Sequence, residues 1–124
     1  MNLVDSSAWL EFFANTTRAR YFLKAIEDTK RLLVPTIVLY EVFKKVLHER
    51  DESSALRVVA HMRQGNIIDF DLELSVLAAQ LSDGLSLPMA DSIILATARK
   101  YEARLWTQDA DFKGLDGVEY VSKT

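Results

Sequence analysis

Residues Leu87–Ala98 read LPMADSIILATA, and eight of the twelve are apolar. Such a run belongs in an interior, yet Asp91 sits in its middle. A buried carboxylate without a partner costs several kcal/mol, on the order of the stability of a whole domain. At 100° per residue Asp91 shares a helical face with Leu87, Ile94, Leu95 and Ala98, so it is expected to point inward. Pro88 is well placed to open the helix. A favourable interaction with the helix dipole is worth only about 0.3–1 kcal/mol, too little to offset burial. The carboxylate needs another reason to be there.

The rest of the chain alternates short apolar runs with amphipathic segments. Strands are expected at Asn2–Val4, in RLLVP (Arg31–Pro35), NIIDF (Asn66–Phe70) and RLWTQD (Arg104–Asp109), with a fifth in VEYVS (Val118–Ser122). Helices are expected at Ser7–Ala14, at Arg18–Asp28 and after Thr36 as N-cap. Two more are expected in DESSALRVVAHMRQG and LELSVLAAQLSDG, stopped by Gly65 and Gly84, before the one opened by Pro88. Near-continuously apolar strands are those of a sheet covered on both faces. The expected fold is α/β, a single domain over residues 1–124 with a small, mostly parallel five-stranded sheet flanked by helices. In such sheets ligands bind beyond the C-terminal strand ends, where the strand order reverses.

Composition narrows the chemistry. The chain has 124 residues, 49% of them hydrophobic and 27% charged, with no cysteine and a net charge of −3. Disulfides, thiolate metal sites and a cysteine nucleophile are excluded. The global charge gives no support to nucleic-acid binding through a basic surface, though a local site stays open. The start, MNLVDSSAWLEFF, lacks the basic region of an export signal. No apolar run approaches the roughly 18–20 residues of a membrane span. A cytoplasmic location is expected.

Several carboxylates occupy positions that a surface residue would not choose. Asp5 follows the first strand, and Asp109 and Asp111 follow the fourth. Glu41 lies in the second turn of the helix after the second strand. Each has a plain alternative. Asp5 is a good N-cap, Asp109 and Asp111 suit a turn, and Glu41 has Lys44 and Lys45 at helical ion-pair spacing. If Asp5, Asp91 and Asp109 converge, each pair at about 4 Å repels by roughly 4 kcal/mol at an effective dielectric near 20. Protons or a cation must compensate. Oxygen ligands alone select a hard cation, Mg²⁺ or Mn²⁺, and such a site serves phosphoryl chemistry. His48 and His61 read as surface residues. No phosphate-binding glycine loop is present, which favours phosphodiester hydrolysis over transfer from a nucleotide.

The motifs VDSSAWLE, PTIVLYEV, LPMADSIILATA and LWTQDADF, in this order, resemble the PIN domain family, and especially its VapC-type toxins of toxin–antitoxin pairs. The resemblance covers nearly the whole chain. It implies a Mg²⁺- or Mn²⁺-dependent endoribonuclease with Asp5, Glu41, Asp91 and Asp109 as catalytic acids. Asp5, Asp91 and Asp109 would ligate metal, Ser7 and Thr107 would be neighbouring hydroxyls, and Asp111 an additional acid. It also implies an RNA substrate, a small VapB-like antitoxin and a homodimer. Arg18, Arg20, Lys44 and Lys45 are candidate RNA contacts, and Trp9, Phe12, Phe13, Tyr21 and Phe22 candidates for the antitoxin groove. A PIN nuclease of housekeeping RNA processing, a catalytically silent PIN binding module and a Mg²⁺-dependent phosphatase are the alternatives.

Overall fold

The computed structural model describes residues 1–123. Five strands form one sheet: β1 (Asn2–Val4), β2 (Leu32–Pro35), β3 (Asn66–Ile68), β4 (Arg104–Thr107) and β5 (Val118–Tyr120). Every pairing is parallel, in the order β3-β2-β1-β4-β5. The expected sheet was mostly parallel; this one is wholly so. Leu3 and Val4 are both fully buried, as are all four residues of β2, so helices cover both faces. The strand order reverses between β1 and β4, which puts the switch point at the C-terminal ends of these two strands.

Among the described residues six α-helices surround the sheet: α1 (Ser6–Phe13), α2 (Arg20–Glu27), α3 (Thr36–Glu49), α4 (Glu52–Met62), α5 (Leu72–Leu85) and α6 (Met89–Lys100). The main core joins Leu3, Val4, Leu33 and Leu105 of the sheet to Trp9, Phe22, Val38, Met62 and Ile94 of the helices. A second, smaller cluster places Leu74 and Ala78 of α5 on Ile93 and Ala96 of α6. Helix α6 is thus sandwiched between the sheet and α5, and Ser92–Ala98 are buried all round rather than on one face. That is why its sequence is apolar on every side.

Several local expectations change. Pro35, not Thr36, is the N-cap of α3, so the helix follows the strand without a turn. Gly84 lies inside α5; the chain leaves that helix through Ser86, which is left-handed at φ 56°. Helix α4 already ends at Met62, and Gly65 has a different duty. A Cβ there would meet Val34 Cγ2 at 2.9 Å and the Leu32 carbonyl oxygen at 3.1 Å, so glycine lets the chain pass close over β2. His61 is not a surface residue. Its ring is half-buried, with centroids 5.3 Å from Phe12, 5.6 Å from Phe13 and 6.1 Å from Trp9.

Candidate metal centre

Asp5 leaves β1 at the switch point and is 1% exposed. Its backbone N–H donates to the Trp106 carbonyl at 3.1 Å, which continues the β1–β4 pairing to this residue. Three donors converge on its carboxylate. The Ser7 hydroxyl reaches Oδ1 at 2.7 Å and the Ala8 N–H at 3.1 Å, while the Thr107 hydroxyl reaches Oδ2 at 2.6 Å. Asp5 therefore does cap α1, and the same carboxylate faces the switch point. Burial still pushes its pKa up to about 6, opposed by these hydrogen bonds.

Thr107 ties the next acid to Asp5. Its oxygen accepts the Asp109 N–H at 2.9 Å. Asp109 in turn accepts the Asp111 N–H at 2.9 Å and so caps the short 3-10 turn Ala110–Phe112. The turn residues are also members of the site. Carboxylate oxygens of Asp91, Asp109 and Asp111 lie within 4.8 Å of one another. Asp91 comes from the first turn of α6 and is half-buried at the mouth, not engulfed. Its pKa is pushed up to about 8, first by burial, then by a hydrogen bond shared with Asp111 and by the charge of Asp109.

Glu41 approaches from α3. It makes none of the expected ion pairs with its own helix. It accepts the Ser6 hydroxyl at 3.0 Å, while Lys45 pairs with Glu49 at 3.0 Å and Lys44 lies over the Tyr40 ring. Burial raises its pKa, and the charge of Asp109 adds to the rise. Asp109 is thus the common neighbour of Asp5, Glu41 and Asp91. The tightest trio takes in Asp111, and Asp5 stands beside it.

Two contributors have weaker sequence signals. Ser6 had no assigned part beside Ser7 in the DSS triplet. Gln108, only 3% exposed, donates its N–H to Ser7 Oγ at 3.2 Å and accepts Arg18 Nε at 2.7 Å. Arg18 also pairs with Glu11 at 3.5 Å and reaches the Ser122 carbonyl, so it pins the C-terminal segment rather than standing free for a ligand. A polar residue directly after an apolar strand was the one available hint for Gln108. Among the aromatics proposed for a groove, Trp9 and Phe22 are fully buried core, and Tyr21 is 47% exposed.

The donor set suits a hard divalent cation. It offers carboxylate oxygens alone, close enough to share one ion. Burial and the neighbouring acids raise the Asp91 pKa, the direction expected where negative charge is crowded without compensation. The PIN domain family model matches residues 3–118. The chain belongs to the PIN domain family. Solved structures superpose over almost its full length. One is a toxin–antitoxin complex from Klebsiella pneumoniae, 25% identical, covering 96% of both chains at a TM-score of 0.82. Another is VapC20 of Mycobacterium tuberculosis, a sarcin-ricin-loop-cleaving toxin, 16% identical over 94% of this chain and 95% of that one at 0.75. A third is VapBC2 of Rickettsia felis on a promoter DNA fragment, 16% identical over 98% of both chains at 0.77. At 16% identity the last two speak for the fold alone. A search of the curated proteins gives no match. Among the described residues no helix is long and apolar enough to cross a membrane.

Proposed function

We propose that this PIN domain is a divalent-cation-dependent endoribonuclease and the toxin of a toxin–antitoxin pair. The observation that carries this is the trio Asp91, Asp109 and Asp111 within 4.8 Å, with Asp5 and Glu41 alongside, at the sheet's switch point. Asp91, Asp109, Asp111 and Asp5 would hold Mg²⁺ or Mn²⁺. Bound there, the ion would lower the pKa of a water and neutralise charge developing at phosphorus. Thr107 and Ser7 keep Asp5 ionised and aimed. Glu41, held by Ser6, would accept a proton from an attacking water. The toxin reading draws on the similarity to the toxin–antitoxin complex from Klebsiella pneumoniae. A cavity of about 360 Å³ between α1, α3 and α4, lined by Leu10, Phe13, Val46 and Val58, is where an antitoxin segment would seat. The toxin would act in the cytoplasm, and a homodimer is part of the proposal.

The test is cleavage of bacterial total RNA by the purified chain with Mg²⁺, with EDTA, and as Asp91→Asn. Cleavage only by the wild type with Mg²⁺, together with growth arrest on expression, supports the proposal. Hydrolysis of a phosphomonoester with no RNA cleavage would replace it by a phosphatase, and no activity under any condition by a silent binding module.

A further inference from the structure

The chain is acidic overall, with a net charge of −3, and its centre is a cluster of carboxylates. A polyanion brought there must be gripped by local features. Two grooves open beside the centre, and each contains one of its carboxylates. The first, about 290 Å³ on α3, is lined by Tyr40, Glu41, Lys44, Lys45 and His48. The second, about 460 Å³, lies at the ends of β4 and β5 and includes Ser7, Gln108, Asp109, Tyr120 and Lys123.

Each groove holds a tyrosine with a lysine over its ring. Lys44 Nζ is 5.7 Å from the Tyr40 centroid, and Lys113 Nζ is 5.8 Å from that of Tyr120. Tyr40 is 60% exposed although it sits one residue before Glu41 on a helix that packs on the core. Tyr21 and Tyr101 also carry cations over their rings, but neither lines these grooves. The sheet order fixes the arrangement. Helix α3 follows β2, Tyr120 ends β5, and β1 and β4 with the acids lie between. Three strand spacings put the ends of β2 and β5 roughly 14 Å apart, so the two grooves flank the acids at a distance of the order of a few nucleotides.

A flat ring beside a flexible cation accepts any base on its face and the adjoining phosphate at the ammonium. Paired bases in a duplex hide those faces. We propose that Tyr40 with Lys44, and Tyr120 with Lys113, are two stacking platforms that hold an unpaired RNA strand on either side of the scissile phosphate. This rests on the ribonuclease reading and adds the residues that select the substrate's form.

The test is binding of a short, fluorescein-labelled, mixed-sequence RNA to the Asp91→Asn chain with Mg²⁺, read by fluorescence anisotropy. Tyr40→Leu and Tyr120→Leu should each weaken binding roughly tenfold, and Tyr40→Phe and Tyr120→Phe should retain it, because stacking needs the ring and not the hydroxyl. Lys44→Gln and Lys113→Gln should each lower the salt slope by about one counterion. The same RNA annealed to its complement should bind at least roughly tenfold more weakly. Unchanged affinity in both leucine variants, or equal affinity for the duplex, overturns the platforms. So does a chain that binds no single strand. Cleavage of total RNA by the otherwise wild-type chain is scored separately, so the platforms can fail while the nuclease stands. Unchanged melting of the leucine variants confirms that lost binding is not lost folding.

Discussion

Asp5 and Asp91 are the same residue type at one sheet edge, and their environments rank them against intuition. Asp5 is almost wholly buried, with a pKa near 6; Asp91 is half-exposed, with a pKa near 8. Burial alone would reverse the order. The difference lies in what faces each carboxylate. Asp5 meets two hydroxyls and a backbone N–H, whereas Asp91 meets Asp111 and Asp109. The protein supplies Asp5 with donors in place of water. It leaves Asp91 to find a proton or a cation.

The largest test of this contrast is activity. Asp91→Asn should lower RNA cleavage by more than the roughly 10–100-fold that loss of an outer partner costs. The same substitution in EDTA should leave the urea midpoint unchanged or higher, since it removes repulsion. A loss of several kcal/mol there would make Asp91 a structural hydrogen-bonding residue. Asp5→Ala should behave oppositely and cost about 3 kcal/mol in urea unfolding, because it orphans buried donors and removes an N-cap. Thr107→Val should cost about 1–2 kcal/mol and reduce cleavage roughly 10–100-fold.

The pH dependence separates the two acids further. Both have folded pKa values above the ordinary 3.8, so the folded state binds their protons more tightly. The resulting stability is fully present below about pH 4 and is lost as pH rises through about 6 for Asp5 and about 8 for Asp91. In EDTA, urea midpoints should therefore fall between pH 4 and pH 8. Asp91→Asn, or added Mg²⁺, should flatten the upper half of that fall. The smallest effect concerns a residue outside the acidic cluster. Gly84→Ala, with nothing within 4 Å of the added Cβ, should stabilise by about 0.5–1 kcal/mol.

The elements of this fold were legible because β2 and the Ile93–Ala96 stretch of α6 are apolar throughout, and such runs have few places to go. The acids stood out as charges at strand ends or inside an apolar helix. Less legible was how they share the site. Asp111 lies in the close trio because Asp109 caps a 3-10 turn that folds it back, and that turn has no distinctive spacing. Gly84 misled because glycine is a common helix stop, yet Ser86 adopts the left-handed turn instead. His61 looked like a solvated helix residue because its ring partners come from α1, far away in sequence. Glu41 was hidden by two lysines at ion-pair spacing that turn to other partners.

The Thr107 hydroxyl bonds a carboxylate 102 residues before it. During synthesis Asp5 emerges first and waits for the 102 residues that separate it from its partner on β4. A polypeptide halted before Arg104 has Asp5, Glu41 and Asp91 but no β4, no Thr107 and no Asp109 or Asp111. Such a fragment is unarmed. The acidic cluster is thus completed only once β4 and the turn that follows it have been made.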